Sequence, residues 1–238
     1  MHPYTNSLQK YIQPHADSHR AAPMKAYMRN QFDYLGIKSP ELAELQKSFL
    51  KIHGLPNLKD LEQILRDLWV LPEREYQYTA IGLLGRMENQ ILANFTHVME
   101  YLIITKSWWD TVDSIAGNIV GEHFKRFPHE KDKFLARWRK SENLWLRRTT
   151  LLFQLGYKEE TDFPLLCNLI SENLGSREFF INKAIGWSLR QYSKVNPKGV
   201  RKFVAETPLQ PLSRREALKW LENNRHKPDP DSSPIHQK

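Results

Sequence analysis

The chain has a single cysteine, no glycine-rich phosphate loop, no metal-ligand motif and almost no strand signal, and each of these removes a class of function. Cys167 alone cannot build a disulfide framework or a thiolate cluster for structural zinc. Its flank, Pro164-Leu165-Leu166-Cys167-Asn168-Leu169-Ile170, reads as a buried helix face. The nine histidines show no HExxH pattern and no grouping with cysteine at ligand spacing, so no metal is expected. Neither GxGxxG nor GxxxxGK[ST] occurs, which removes the usual nucleotide-binding readings. The segment Met1 to Arg20 is polar and lacks the apolar core of a signal peptide or a membrane span, so the expected location is the cytoplasm, without membrane association.

What the chain does contain is charge and helical periodicity. It has 238 residues, of which 35 are Lys or Arg and 27 Asp or Glu, for a formal charge of +8. That balance favours a polyanionic partner over an acidic metabolite. Segments such as Leu58 to Trp69, Asn143 to Leu155 and Glu178 to Tyr192 carry apolar residues at intervals of three and four. Proline at positions 23, 40, 72, 164 and 197 marks first turns, where a missing N–H is tolerated. The fold class read from this pattern is all-α.

A repeat underlies the helices. Segments opening at Glu73, Trp108, Asn143, Glu178 and Arg214 recur at a spacing of roughly 35 residues, the range of paired-helix solenoids, and a further unit opens near Pro40. Ser141-Glu142-Asn143-Leu144 and Ser176-Arg177-Glu178-Phe179 both look like helix N-caps. Stacked hairpins of this kind predict one domain over residues 1–224. The tail 225–238, with Pro228, Pro230 and Pro234 among Asp and Ser, is expected to be disordered.

The segment Thr105-Lys106-Ser107-Trp108-Trp109-Asp110-Thr111-Val112-Asp113-Ser114 is the most informative. On a helix Trp109 and Asp113 share a face, and an aromatic ring beside a carboxylate suits a cationic centre. In the repeat register Asp113 maps to Arg148 and then to Lys183, while Trp109 maps to Leu144 and Phe179, giving two parallel rows. The helix from Phe179 to Lys194 places Lys183, Trp187, Arg190 and Lys194 on one stripe and Ile181, Ile185, Leu189 and Tyr192 on another. One stripe suits the core and the other a phosphate backbone. Each residue also has a plainer reading: the tryptophans as helix packing, Asp113 as a salt-bridge partner of Arg148, the lysines and arginines as a solvated face.

Several segments in order resemble the AlkD family of bacterial alkylpurine DNA glycosylases. They are Met24-Lys25-Ala26-Tyr27-Met28, Leu71-Pro72-Glu73-Arg74-Glu75, the Thr105 to Ser114 segment, Asn143-Leu144-Trp145-Leu146-Arg147-Arg148, and the run from Glu178 to Trp187. The resemblance extends from about Met1 to Asn224. It implies an α-solenoid of HEAT-like helical hairpin repeats with a concave basic groove for double-stranded DNA containing alkylated purines. Asp113 is then the catalytic carboxylate, with Trp109 and Trp187 packed around the lesion deoxyribose. Tyr27, Lys38, Arg148, Phe179, Phe180, Lys183, Arg190 and Lys194 form the expected DNA-facing set. Lys38 departs from the family, where a neutral amide is expected, yet a lysine still favours a phosphate.

The implied activity is hydrolysis of the N-glycosidic bond of cationic N3- or N7-alkylated purines, 3-methyladenine and 7-methylguanine, in base excision repair. It needs no base-flipping pocket and no cofactor, and the protein is expected to be a bacterial monomer associated with the nucleoid when bound to DNA. Two other readings remain: a non-catalytic HEAT-repeat protein for damaged or branched DNA, and a helical scaffold whose groove takes an acidic peptide.

Overall fold

The computed structural model describes residues 1–224, so the expectation for the tail lies outside the described residues. The protein is all-helical, and among the described residues the only strand-like feature is an isolated bridge between Asp33 and Glu73. Its packing divides into two compact units, the first ending at Thr149 and the second beginning at Thr150.

The first unit contains α1 (Pro3–Ile12), α2 (Ser18–Tyr27), α3 (Ser39–His53), α4 (Leu58–Val70), α5 (Arg74–Arg86), α6 (Thr96–Ile104) and α7 (Trp109–Ser114). A π-helical stretch, Ile115–Val120, joins α7 to α8 (Gly121–Arg126), followed by α9 (Pro128–Trp138) and α10 (Leu144–Leu152), in which the division falls. The second unit holds α11 (Phe163–Ser171), α12 (Phe179–Tyr192), α13 (Pro197–Glu206) and α14 (Pro211–Asn223).

The repeat is present in the helix starts: Arg74, Trp109, Leu144 and Phe179 open α5, α7, α10 and α12 at intervals of 35 residues. Within the first unit it is also present in the contacts. The Trp69 indole N–H donates to the Thr105 carbonyl, 36 residues on, and the Arg126 guanidinium donates to the carbonyls of Glu88, Asn89 and Ile91, 35 to 38 residues back. Each repeat therefore covers the polar ends of its neighbour, which is how stacked hairpins bury what one hairpin leaves open. Ile64, Leu65, Leu68, Leu84, Val98, Leu102, Val112 and Ile115 fill the apolar layer between them. Each contributes roughly 1.5 to 3 kcal/mol when fully buried.

Several local expectations need correction. Pro23 lies inside α2, and Pro72 precedes α5 without belonging to it. Pro3, Pro128 and Pro211 open α1, α9 and α14, so the last segment starts at Pro211 and not at Arg214. Asn143 does cap α10, its side-chain oxygen accepting from the N–H groups of Trp145 and Leu146. Ser176 makes no such cap for α12; its hydroxyl accepts only from the Glu178 N–H. Cys167 is half-buried, and burial pushes its thiol up to about 11.

Candidate active site

Helix α7 carries two aspartates one turn apart, and each is taken by an arginine from a different repeat. Arg74, at the start of α5, is fully buried and binds Asp110 through two parallel hydrogen bonds of 2.9 and 2.7 Å. Asp110 also accepts from the Tyr78 hydroxyl at 2.7 Å. Tyr34 in turn donates to Tyr78, at 3.1 Å. Arg74 also donates to the Lys106 carbonyl and the Thr111 hydroxyl, with its guanidinium over the face of Phe32 at 3.7 Å. Burial, reinforced by the Asp110 charge, pushes the Tyr78 phenol far above its ordinary value.

Asp113 is the less enclosed of the two. Arg148 of α10 binds it with Nε to Oδ1 at 2.7 Å and Nη2 to Oδ2 at 2.8 Å. The arginine side chain is 4% exposed and the aspartate 14%. Burial raises the Asp113 carboxyl above the ordinary aspartate range. The Arg148 hydrogen bonds and charge oppose this without cancelling it, and the nearby Asp110 charge adds to it. A carboxylate has about four acceptor sites, so the bidentate pair leaves Asp113 capacity for a further donor.

Trp109 opens α7, is half-buried, and meets the Tyr27 ring edge-on with centroids 6.2 Å apart. Tyr27 is the last residue of α2 and is 73% exposed. Asp113, Trp109, Tyr27 and Arg148 are thus brought together in the first unit. Lys38 is exposed at the N-cap of α3.

The loop between Tyr27 and Lys38 is fixed from beneath by Glu75, a residue that sequence reasoning missed. Its buried carboxylate accepts from the N–H groups of Leu35, Gly36 and Ile37 at 2.9, 2.9 and 3.1 Å. Gly36 has φ +87°, and a Cβ there would stand 2.0 Å from the Asp17 carbonyl oxygen. Only glycine fits that position.

In the second unit α12 presents the expected stripes only in part, because the helix ends at Tyr192, which is half-buried, and Lys194 lies beyond it. Ile181, Ile185 and Leu189 are buried; Trp187 is half-buried, Lys194 exposed, and Phe179 is 56% exposed with its ring edge-on to Phe180. Lys183 and Arg190 are not free cations, because Glu216 of α14 binds both, at 3.0 and 2.7 Å. A cavity of about 220 Å³ also opens in this unit, and of the expected site residues only Lys194 lines it.

The family model for DNA alkylation repair enzymes matches residues 8–221. The chain belongs to the DNA alkylation repair enzyme family. A predicted DNA alkylation repair enzyme from Enterococcus faecalis is 37% identical to this family member, with a TM-score of 0.81 over 87% of this chain and 96% of that one. Smu.31 from Streptococcus mutans UA159 is similar in fold alone, at 17% identity and a TM-score of 0.57 over 75% of this chain and 96% of that one. No curated protein matches. Family membership gives this chain a role in DNA repair. Among the described residues no helix is long and apolar enough to cross a membrane, and no group of three or more His, Cys, Asp or Glu could hold a metal ion.

Proposed function

We propose that this family member is a DNA glycosylase that releases cationic N3- or N7-alkylated purines from duplex DNA. The observation that carries the reading is on α7: both carboxylates are largely enclosed, but Asp110 is sealed by Arg74 and Tyr78 at 7% exposure, while Asp113 keeps 14%, spare acceptor capacity and a tryptophan one turn away. That is the arrangement a cationic sugar requires.

Alkylation at N7 or N3 places a positive charge on the purine. The C1′–N bond then breaks with its electron pair leaving on the base, which becomes neutral, and the sugar acquires oxocarbenium character. The Asp113 carboxylate stabilises that charge, accepts a hydrogen bond from the water that adds to C1′, and takes the proton this water loses as the C1′–O bond forms. Arg148 keeps the carboxylate aimed. Trp109 offers a π face to the polarised sugar, contributing about 0.5 to 2 kcal/mol, and Trp187 is assigned the same role by family resemblance. Tyr27, Lys38, Phe179, Phe180 and Lys194 are the proposed duplex contacts, with the charges of Lys183, Arg190 and Arg148 already engaged within the protein. The chemistry as written needs neither cofactor nor metal, and one chain suffices for it.

One observation favours a second reading. Both oxygens of Asp113 already accept from Arg148, which would also suit a purely structural carboxylate in a non-catalytic protein that binds damaged or branched DNA. The test is release of free 7-methylguanine from methylated duplex by the purified protein. Release supports the glycosylase; duplex binding without release selects the second reading.

A further inference from the structure

The basic stripe of α12 carries its own anion. Lys183 and Arg190 lie two turns apart, and the Glu216 carboxylate sits between them with one oxygen on each, Oε1 at 3.0 Å from Lys183 Nζ and Oε2 at 2.7 Å from Arg190 Nη1. The base of the Glu216 side chain is held against α12. A Cβ added at Gly186 would stand 2.4 Å from the Glu216 Cβ, so the two helices are in close contact at this point. One turn earlier, the Ser213 hydroxyl donates to the Asn182 carbonyl at 2.9 Å. The cations are less confined: their side chains are 36% and 27% exposed, against 11% for the glutamate. Burial pushes the Glu216 carboxyl up, but Lys183, Arg190 and Lys219 outweigh it and hold the group below the usual glutamate range. It is ionised throughout the neutral range.

We propose that Glu216 is an internal stand-in for a DNA phosphate, which occupies Lys183 and Arg190 and thereby holds down affinity for undamaged duplex. The proposal rests on the DNA-binding reading above. The trio presents a net charge of +1 to a duplex where the two free cations would present +2. A phosphate approaching this face must compete with a carboxylate that is already largely desolvated and bound to both cations. Non-specific binding is mostly counterion release, and cations neutralised internally contribute little to it. A lower background of binding to ordinary duplex is specificity gained by subtraction, because undamaged sites greatly outnumber lesions.

The experiment compares wild type, Glu216→Gln, Lys183→Gln and the double variant for binding to a short undamaged duplex across a salt series. Freed cations that reach phosphates should steepen the log K against log salt slope by about 0.9 each. We expect Glu216→Gln to bind about 3- to 10-fold tighter at about 0.1 M salt, with a slope steeper by about 0.9 to 1.8. Lys183→Gln should change little in the wild type and remove roughly half of the gain in the Glu216→Gln background, a coupling that the double-mutant cycle isolates. A folded Glu216→Gln protein with unchanged affinity and slope would overturn the proposal. If Glu216→Gln does not fold, Lys183→Gln alone decides: a loss of about 0.9 in slope from the wild type overturns the proposal, and no loss supports it. A wild type that binds no duplex brings down the DNA-binding reading itself, whereas binding without the slope change brings down only the role of Glu216.

Discussion

Arg148 and Asp113 stand 35 residues apart in sequence and face each other through two parallel hydrogen bonds, of 2.7 and 2.8 Å, that join α10 to α7. Both side chains are nearly enclosed, so removing either leaves a group that the interior cannot solvate. Arg148→Ala should lower stability by about 3 to 5 kcal/mol, the range for breaking a buried pair. It should also move the Asp113 carboxyl further up. Chemical denaturation at neutral pH checks the first effect. The second appears in the pH dependence of base release. Because burial already raises Asp113 above its unfolded value, activity needing the ionised form is lost as pH falls through the folded value. The acid limb should therefore lie above the ordinary aspartate range in the wild type and move to higher pH in Arg148→Ala. The stability sign is the reverse of a salt-bridged surface aspartate: ionising Asp113 costs more folded than unfolded, so this penalty is present above the folded value and relieved as pH falls through it.

Asp113→Asn tests chemistry separately from binding. If the carboxylate stabilises charge that develops only in the transition state, 7-methylguanine release should fall by orders of magnitude while duplex affinity stays within a few-fold. Asp110→Asn is the control for enclosure. With Arg74 fully buried beneath it, that change should cost stability first. A folded Asp113→Asn protein that releases base at the wild-type rate ends the proposed role.

For the tryptophan of α7, ring and volume can be separated. Trp109→Phe keeps a π face and an edge-on contact for Tyr27, so base release should fall less than in Trp109→Ala. Since Trp109 is half-buried, melting temperature should change by only a few degrees in Trp109→Phe. A loss of several kcal/mol in that variant would mark the ring as core packing.

The helices and their repeat were legible because periodicity and proline placement are local signals, and the starts of α5, α7, α10 and α12 follow the expected segment openings by one residue. The pairing of Arg148 with Asp113 was legible as an alternative, since the repeat register brings the two to equivalent positions. What could not be read was which charges neutralise which. Arg74 and Asp110 obey nearly the same offset, 36 residues, and that offset was the available signal for the pair. Glu216 gave no such signal, because it meets Lys183 and Arg190 from a helix that starts out of the repeat spacing, at Pro211. Pro23 lies in the second turn of a short helix, where a proline has the same sequence surroundings as one at a helix start.

The loop that joins Tyr27 to Lys38 depends on Gly36 and Glu75. Gly36→Ala forces a side chain into a left-handed backbone and against the Asp17 carbonyl, so it should destabilise by about 2 kcal/mol or more. Glu75→Gln leaves one oxygen where three N–H groups expect two, and it puts an amide N–H against donors. We expect hydrogen exchange of Leu35, Gly36 and Ile37 to accelerate in Glu75→Gln, with weaker duplex binding if Lys38 contacts DNA. Unchanged exchange at these three amides would show that the loop holds itself.

The leaving group sets the final expectation. The proposed site has Asp113, whose two oxygens both accept from Arg148, and Arg148, which is committed to it; neither is an acid poised to protonate a neutral base. The base must therefore bring its own positive charge, as 7-methylguanine and 3-methyladenine do. Release of either should be readily measured from a duplex that yields negligible uracil or hypoxanthine under the same conditions. Raising the pH should not rescue the neutral bases, because deprotonation supplies no acid. Efficient uracil release would mean that the protein activates neutral leaving groups, and the electrostatic roles assigned to Asp113, Trp109 and Trp187 would have to be given up.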